Sequence, residues 1–207
     1  MIIDIHKVVR ETLREGETIK SVSTQLNNLA MAHMIRDFDG LKQRLPLLPQ
    51  STTRKQFIEF LNAKSLSAET VQRFREIMYD HKIGYLGEMS VHSALAHDWR
   101  DVFKYNKLGV YNTPDGEVHE RSERSTQIKL LTFDVKSHHK DLCGLSVPAD
   151  RVRCDLYVAC HWLRSKMHVL GYATKADVLS ARKNQYNKLC IAPSALRPFS
   201  DFLHRFH

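Results

Sequence analysis

The chain has 207 residues, enough for one domain or two small ones and for a real apolar core. At 43% hydrophobic and 26% charged residues it is not a disordered chain, and no apolar run approaches the roughly 20 residues of a membrane helix. Basic residues outnumber acidic ones 31 to 23, a formal net charge of +8, which favours a polyanionic partner, most often nucleic acid.

Residues 1–80 read as a helical region with near-even charge, 12 basic against 10 acidic groups. Ile2, Ile5, Val8, Val9 and Leu13 recur at helical spacing, and Ile19, Val22, Leu26, Leu29, Ala32 and Ile35 form a second stripe from about Glu17 to Leu45. Pro46 and Pro49 break the pattern. A third helix starts near Ser51–Thr53 and carries Phe57, Ile58, Phe60 and Leu61. Ser67 reads as the N-cap of a fourth, with Val71, Phe74 and Met78 on its buried side. Dimerisation, docking or target recognition are the expected roles of this region.

Residues 81–207 have a different character. A helix with a small-residue entry spans Ile83 to Leu95 and includes Gly87-Glu88. Short β-like runs follow at Val102–Leu108, Ile128–Lys136, Leu156–Cys160 and Met167–Ala173, with a turn-rich stretch at Asn112–Glu117. Thr174 caps a short helix, and another closes the chain. The expected architecture is α/β (or α+β): a helical N-terminal region, then a central mixed sheet of four or five strands flanked by helices. Positive charge gathers at the end, where residues 151–207 carry 10 basic and 3 acidic groups.

Cys143, Cys154, Cys160 and Cys190 form no C-x-x-C pair and read as buried thiols. Met1-Ile-Ile-Asp-Ile-His has an early acid and no cationic stretch ahead of an apolar one. It does not read as a secretory signal, and a cytoplasmic protein is expected, of a bacterial or host cell.

The chemistry concentrates in Glu88, Asp115, Asp134 and Lys136. Period-2 geometry puts Asp134 and Lys136 on one side of a strand. Three carboxylates converging at a sheet edge repel one another and call for a divalent cation. Mg²⁺ suits all-oxygen ligands and commonly binds carboxylates together with substrate phosphate.

Gly87-Glu88 on a helix, then Pro114-Asp115, then Asp134-Val-Lys136, resembles the PD-(D/E)xK nuclease superfamily, of the phage or mobile-element type. The later Cys154–Ala159 and His168–Asp177 text is similar to the strands and helix that follow the catalytic strand in many members. The resemblance spans about residues 83–203. It implies a restriction-endonuclease-like core and Mg²⁺-dependent cleavage of DNA, with Mn²⁺ as a substitute. By that resemblance Asp115 and Asp134 bind metal, Glu88 adds a ligand directly or through water, and Lys136 positions the attacking water. Asp101 and Glu117 are rivals for the place of Asp115, and Asp134 replaces the commoner Glu.

Ser137, His138, Arg164, Lys166, Lys175, Arg182 and Lys183 are the expected contacts to nucleic acid. Double-strand cleavage by one site per chain favours a homodimer, and a nicking monomer is equally consistent with the sequence. The alternatives are a non-catalytic nucleic-acid- or partner-binding protein on a nuclease-like fold, and a junction-specific or RNA nuclease.

Overall fold

The computed structural model describes residues 1–106, 114–120, 129–140 and 144–206. Ile2–Ile3 form β1, followed by α1 (Ile5–Glu11), α2 (Ile19–Arg36), α3 (Phe38–Arg44), α4 (Arg54–Asn62), α5 (Ala68–Ala94) and α6 (Asp101–Tyr105). Then come β2 (Gly116–Glu120), β3 (Lys129–His138), β4 (Leu145–Pro148), β5 (Leu156–Leu163), β6 (Lys166–Thr174), α7 (Lys175–Leu179), β7 (Arg182–Lys183), β8 (Lys188–Ile191) and α8 (Phe199–Arg205). None of these helices is long and apolar enough to cross a membrane.

The chain divides into two compact units, Lys20–Lys82 and a second made of Met1–Ile19 with Ile83–His207. The expected boundary near residue 80 lies close to this division, but residues 1–19 do not join the helical unit. Two sets of contacts hold them to the sheet unit. β1 pairs with β6, with Ile2 opposite His168. Trp99 Nε1 donates to Thr12 Oγ1 at 2.9 Å, and Arg100 binds Glu17 and the Thr12 carbonyl. Ile2 and Ile3 are therefore strand rather than helix. Two residues are too few to show a period, and cross-strand pairing decided their state.

In the helical unit, the stripe read as one helix from Glu17 to Leu45 is two helices. Asp37 ends α2 and caps α3, its carboxylate accepting from the Gly40 N–H. Thr53 caps α4 in a reciprocal capping box with Gln56. Ser67 Oγ accepts from the Thr70 N–H at the start of α5. Met34, Phe38, Leu41, Leu45, Leu48, Phe57, Phe74 and Ile77 form one apolar core. The fourth expected helix and the one from Ile83 are a single 27-residue helix, α5.

In the sheet unit, β1-β6-β5-β3-β2 form a mixed five-stranded sheet in that order. β3 and β5 are parallel and the other neighbours antiparallel. β3 buries Leu131, Phe133 and Val135 on one face, while Thr132, Asp134 and Lys136 stand half-buried on the other. The Phe133 face carries an aromatic cluster: Phe202 of α8 meets Phe133 and Tyr172 edge-on. The opposite face carries a second, three-stranded sheet, β4-β8-β7. Tyr157 and Ala159 stand beside Asp134 and Lys136 in register, and both pack with Leu145 and Val147 of β4 and Leu189 and Ile191 of β8. One layer therefore covers each side of β5, which is why residues 156–161 are buried without alternation.

The run Val102–Leu108, expected as a strand, is helical at Asp101–Tyr105. Its apolar residues Val102 and Phe103 are adjacent and do not alternate. Residues 107 and 108 lie outside the described residues, as do Cys143, Asn112, Thr113 and Ile128. Gly116 and Glu117, expected in a turn, begin β2.

Candidate active site

Asp115, Glu88, Asp134 and Lys136 come together at the start of β2, against β3. Gly116 pairs with Phe133, so Asp115 stands opposite Asp134 one step beyond the strand. Its N–H donates to the Phe133 carbonyl at 2.9 Å and continues the ladder. Its Oδ2 accepts from the Val135 N–H at 2.6 Å. Past this point β3 has no β2 partner, and a carboxylate takes the place of a backbone carbonyl. The Thr-Pro-Asp-Gly text that reads as a loop ends on the strand, and Asp115 lies beside the strand carrying Asp134. Of its rivals, Glu117 is solvent-exposed and Asp101 sits at the start of α6 near His92 and His97.

Glu88 arrives on α5, which comes very close to β3. A Cβ at Gly87 would lie 1.9 Å from Ser137 Oγ, so only glycine fits there. A Cβ at Gly116 would likewise strike the Phe133 ring at 2.3 Å. These two glycines set the spacing of helix, β2 and β3 that brings the acids together.

Glu88 is 6% exposed, and Asn106 Nδ2 donates to its Oε2 at 2.6 Å. Burial raises its pKa to about 8, with the Asn106 hydrogen bond opposing and the charge of Asp134 adding to the rise. Burial also pushes Asp115 well above the usual carboxylate range, and the charges of Glu88 and Asp134 add to it. Lys136 Nζ donates to Asp134 at 2.6 Å. Burial works against the charge on Lys136, but Asp134 and Asp115 outweigh it and hold the ammonium up. Three carboxylates and one ammonium carry a net charge of −2 when all are ionised. Glu88 and Asp115 each have one oxygen engaged by a protein N–H, and both oxygens of Asp134 lie 2.6 Å from Lys136 Nζ. Among the described residues no three His, Cys, Asp or Glu side chains form a ready-made metal cage.

The expected nucleic-acid contacts are not gathered in one place. The Ser137 hydroxyl is buried beside Gly87 without a hydrogen-bond partner. His138 lies on the Asp134 face at the end of β3. Its pKa is lowered by burial first, then by the charge of Lys188. Arg164 and Lys166 sit at the β5–β6 hairpin, a two-residue turn with positive φ at Arg164 and Ser165. That tip lies beyond the His138 end of β3, because β3 and β5 are parallel. Lys175 begins α7 at the other end of the sheet, where Thr174 pairs with Leu156. Arg182 and Lys183 form β7, the edge of the small sheet.

Asn106 is the residue the sequence did not reveal. It lies within the run Val102–Leu108 read as a strand, and no motif marks it. Cys160 is fully buried and Cys154 half-buried, both as free thiols. No protein family profile, no curated protein and no solved structure matches the chain.

Proposed function

We propose that the chain is a metal-dependent endonuclease that hydrolyses phosphodiester bonds of DNA, built on a restriction-endonuclease-like core of the PD-(D/E)xK kind. The observation that carries this reading is the meeting of Asp115, Glu88, Asp134 and Lys136 at the open edge of β3. Burying like charges together is costly and has no structural benefit here, which is the signature of a functional site. The mixed sheet with helices on one face and the order of the acids along the chain support it further.

The donor set fits Mg²⁺, with Mn²⁺ as a substitute. It is all oxygen and carries net negative charge; Glu88 and Asp115 each keep an oxygen without a protein N–H donor, and Asp134 would share its carboxylate between Lys136 and a cation that keeps waters and shares substrate phosphate. When bound, the cation neutralises phosphate charge and acidifies a water. Asp115 and Asp134 hold their carboxylates at the β3 edge, Asp115 fixed by the Val135 N–H. Lys136 Nζ orients the attacking water and is itself aimed by Asp134. Asn106 fixes the Glu88 carboxyl.

A non-catalytic nucleic-acid-binding role is the second reading, and one observation favours it: Asp134 is closed onto Lys136, with no three-residue metal cage among the described residues. Plasmid cleavage separates the two. Cutting is expected with Mg²⁺, absent with EDTA, and reduced by about 10²–10⁴-fold in Asp134→Ala and Lys136→Ala. Intact DNA binding with no cutting of supercoiled, linear, branched or single-stranded DNA would replace the nuclease by the binding protein.

A further inference from the structure

The small sheet covers the face of the main sheet that carries Asp134 and Lys136. Its outer hairpin, β7–β8, has three features that the catalytic cluster does not use. Tyr186 at its tip is 71% exposed, the most exposed large apolar or aromatic side chain among the described residues. Arg182, Lys183 and Lys188 flank it, and no carboxylate of the described residues pairs with any of them. Between Asp177 and Asp201 the sequence contains no acid at all. An open concavity of about 710 Å³ is lined by Arg182, Lys183, Tyr186 and Cys190.

The hairpin is also held in one shape. Asn184 Oδ1 accepts from the N–H groups of Tyr186 at 2.9 Å and Lys188 at 3.0 Å. The Asn184 N–H donates to the Lys188 carbonyl at 2.8 Å, and Asn187 takes the left-handed conformation at φ 60°. The loop carbonyl of Asn187 accepts from Ala149 N–H at 3.0 Å, which ties the tip to the end of β4. A fixed loop that presents a bare aromatic loses little freedom when a ligand stacks on it.

We propose that this hairpin binds nucleic acid by stacking an unpaired base on Tyr186, while Arg182, Lys183 and Lys188 hold the adjoining phosphates. The proposal rests on the nuclease reading and names its substrate class: DNA with unpaired bases near the cut, rather than an uninterrupted duplex. The reason is access. In a continuous duplex each base face is covered by its neighbours, whereas an unpaired base offers a free π-face to an aromatic side chain. The cations recognise the backbone and not the sequence.

Fluorescence anisotropy in EDTA tests this without cleavage, using the full chain and labelled single-stranded, gapped and blunt duplex oligonucleotides of one sequence. Wild type binds the single-stranded and gapped DNA more tightly than the duplex. Tyr186→Ala weakens those two by roughly five- to a hundred-fold, the range for one lost base stack, and leaves duplex binding nearly unchanged. Tyr186→Trp retains the affinity. Arg182→Ala and Lys188→Ala lower the salt dependence on all three DNAs by about one phosphate contact each. Equal loss on all DNAs in Tyr186→Ala, a wild-type preference for blunt duplex, or no wild-type binding to any of them overturns the proposal. The same DNAs with Mg²⁺ keep the two readings apart. Cleavage of single-stranded and gapped DNA that ignores Tyr186 sinks the hairpin and spares the nuclease, while Tyr186-dependent binding without cleavage does the reverse.

Discussion

The two units fill their interiors with opposite chemistry. The helical unit, Lys20–Lys82, packs one apolar cluster of eight buried side chains, with Phe57 between Phe38 and Phe74 at ring distances of 5.4 and 5.6 Å, and its buried polar side chains, Thr52 and Thr70, carry no charge. The sheet unit builds comparable layers on both faces of β5, yet places a buried Glu88 and a half-buried Asp115 at their margin beside Asp134 and Lys136. The first arrangement stabilises the fold. The second costs stability, because each ionised carboxylate gives up water and faces others of its sign. The contrast favours the proposed site: the helical unit buries uncharged side chains, and the β3 edge gathers acids whose repulsion an opposite charge would relieve.

Three substitutions break or sharpen that contrast. Phe57→Ala removes the centre of the apolar cluster, and denaturant unfolding of the helical unit loses about 3–5 kcal/mol. A loss below 1 kcal/mol would mean that Phe57 is not the keystone of that core.

Glu88→Gln acts in the other direction. The raised pKa of Glu88 means that the folded state holds its proton more tightly than the unfolded chain does. That contribution is fully present below the ordinary carboxyl value near 4.5 and is lost as pH rises through about 8. Gln keeps an oxygen for Asn106 and carries no charge. The metal-free variant is therefore as stable as wild type near pH 4.5 and more stable at pH 8, by a margin on the order of 3 kcal/mol. Thermal unfolding across pH 4.5–8 reads this directly, and parallel wild-type and variant curves would show that Glu88 is not the group responsible. Added Mg²⁺ flattens the wild-type curve, because binding a cation displaces those protons.

Gly87→Ala tests the approach of helix to strand. The new Cβ meets Ser137 Oγ, and stability falls by about 1–3 kcal/mol. Ser137→Ala in the same chain recovers part of the loss, since the nearest remaining atom is Ser137 Cβ at 3.1 Å. Without recovery, the close contact is not what demands glycine at this position.

Much of this arrangement is legible in the residues themselves, and the illegible parts share a cause. Thr53 and Thr174 declare their helices because a cap is a local bond. Asp134 and Lys136 declare a shared face because a strand repeats every two residues. Asp115 was ambiguous for the opposite reason. Its neighbours Pro114 and Gly116 suit a turn, and its place depends on pairing with a strand some twenty residues away. The continuity of α5 was hidden by Gly84 and Gly87, which look like breaks. Gly87 is there for clearance against Ser137.

The sequence by itself determined the helical period of the N-terminal region, the caps at Thr53, Ser67 and Thr174, the apolar stripe of the helical unit, and the pairing of an acid with a lysine on one strand. These depend on contacts within a few residues. Only the tertiary structure decided that Ile2–Ile3 would be strand, that Asp115 rather than Asp101 or Glu117 would face Asp134, and that Asn106 would fix Glu88. Each of these rests on partners far apart in the chain, whose meeting is set by register and close packing and leaves no periodic trace in the sequence.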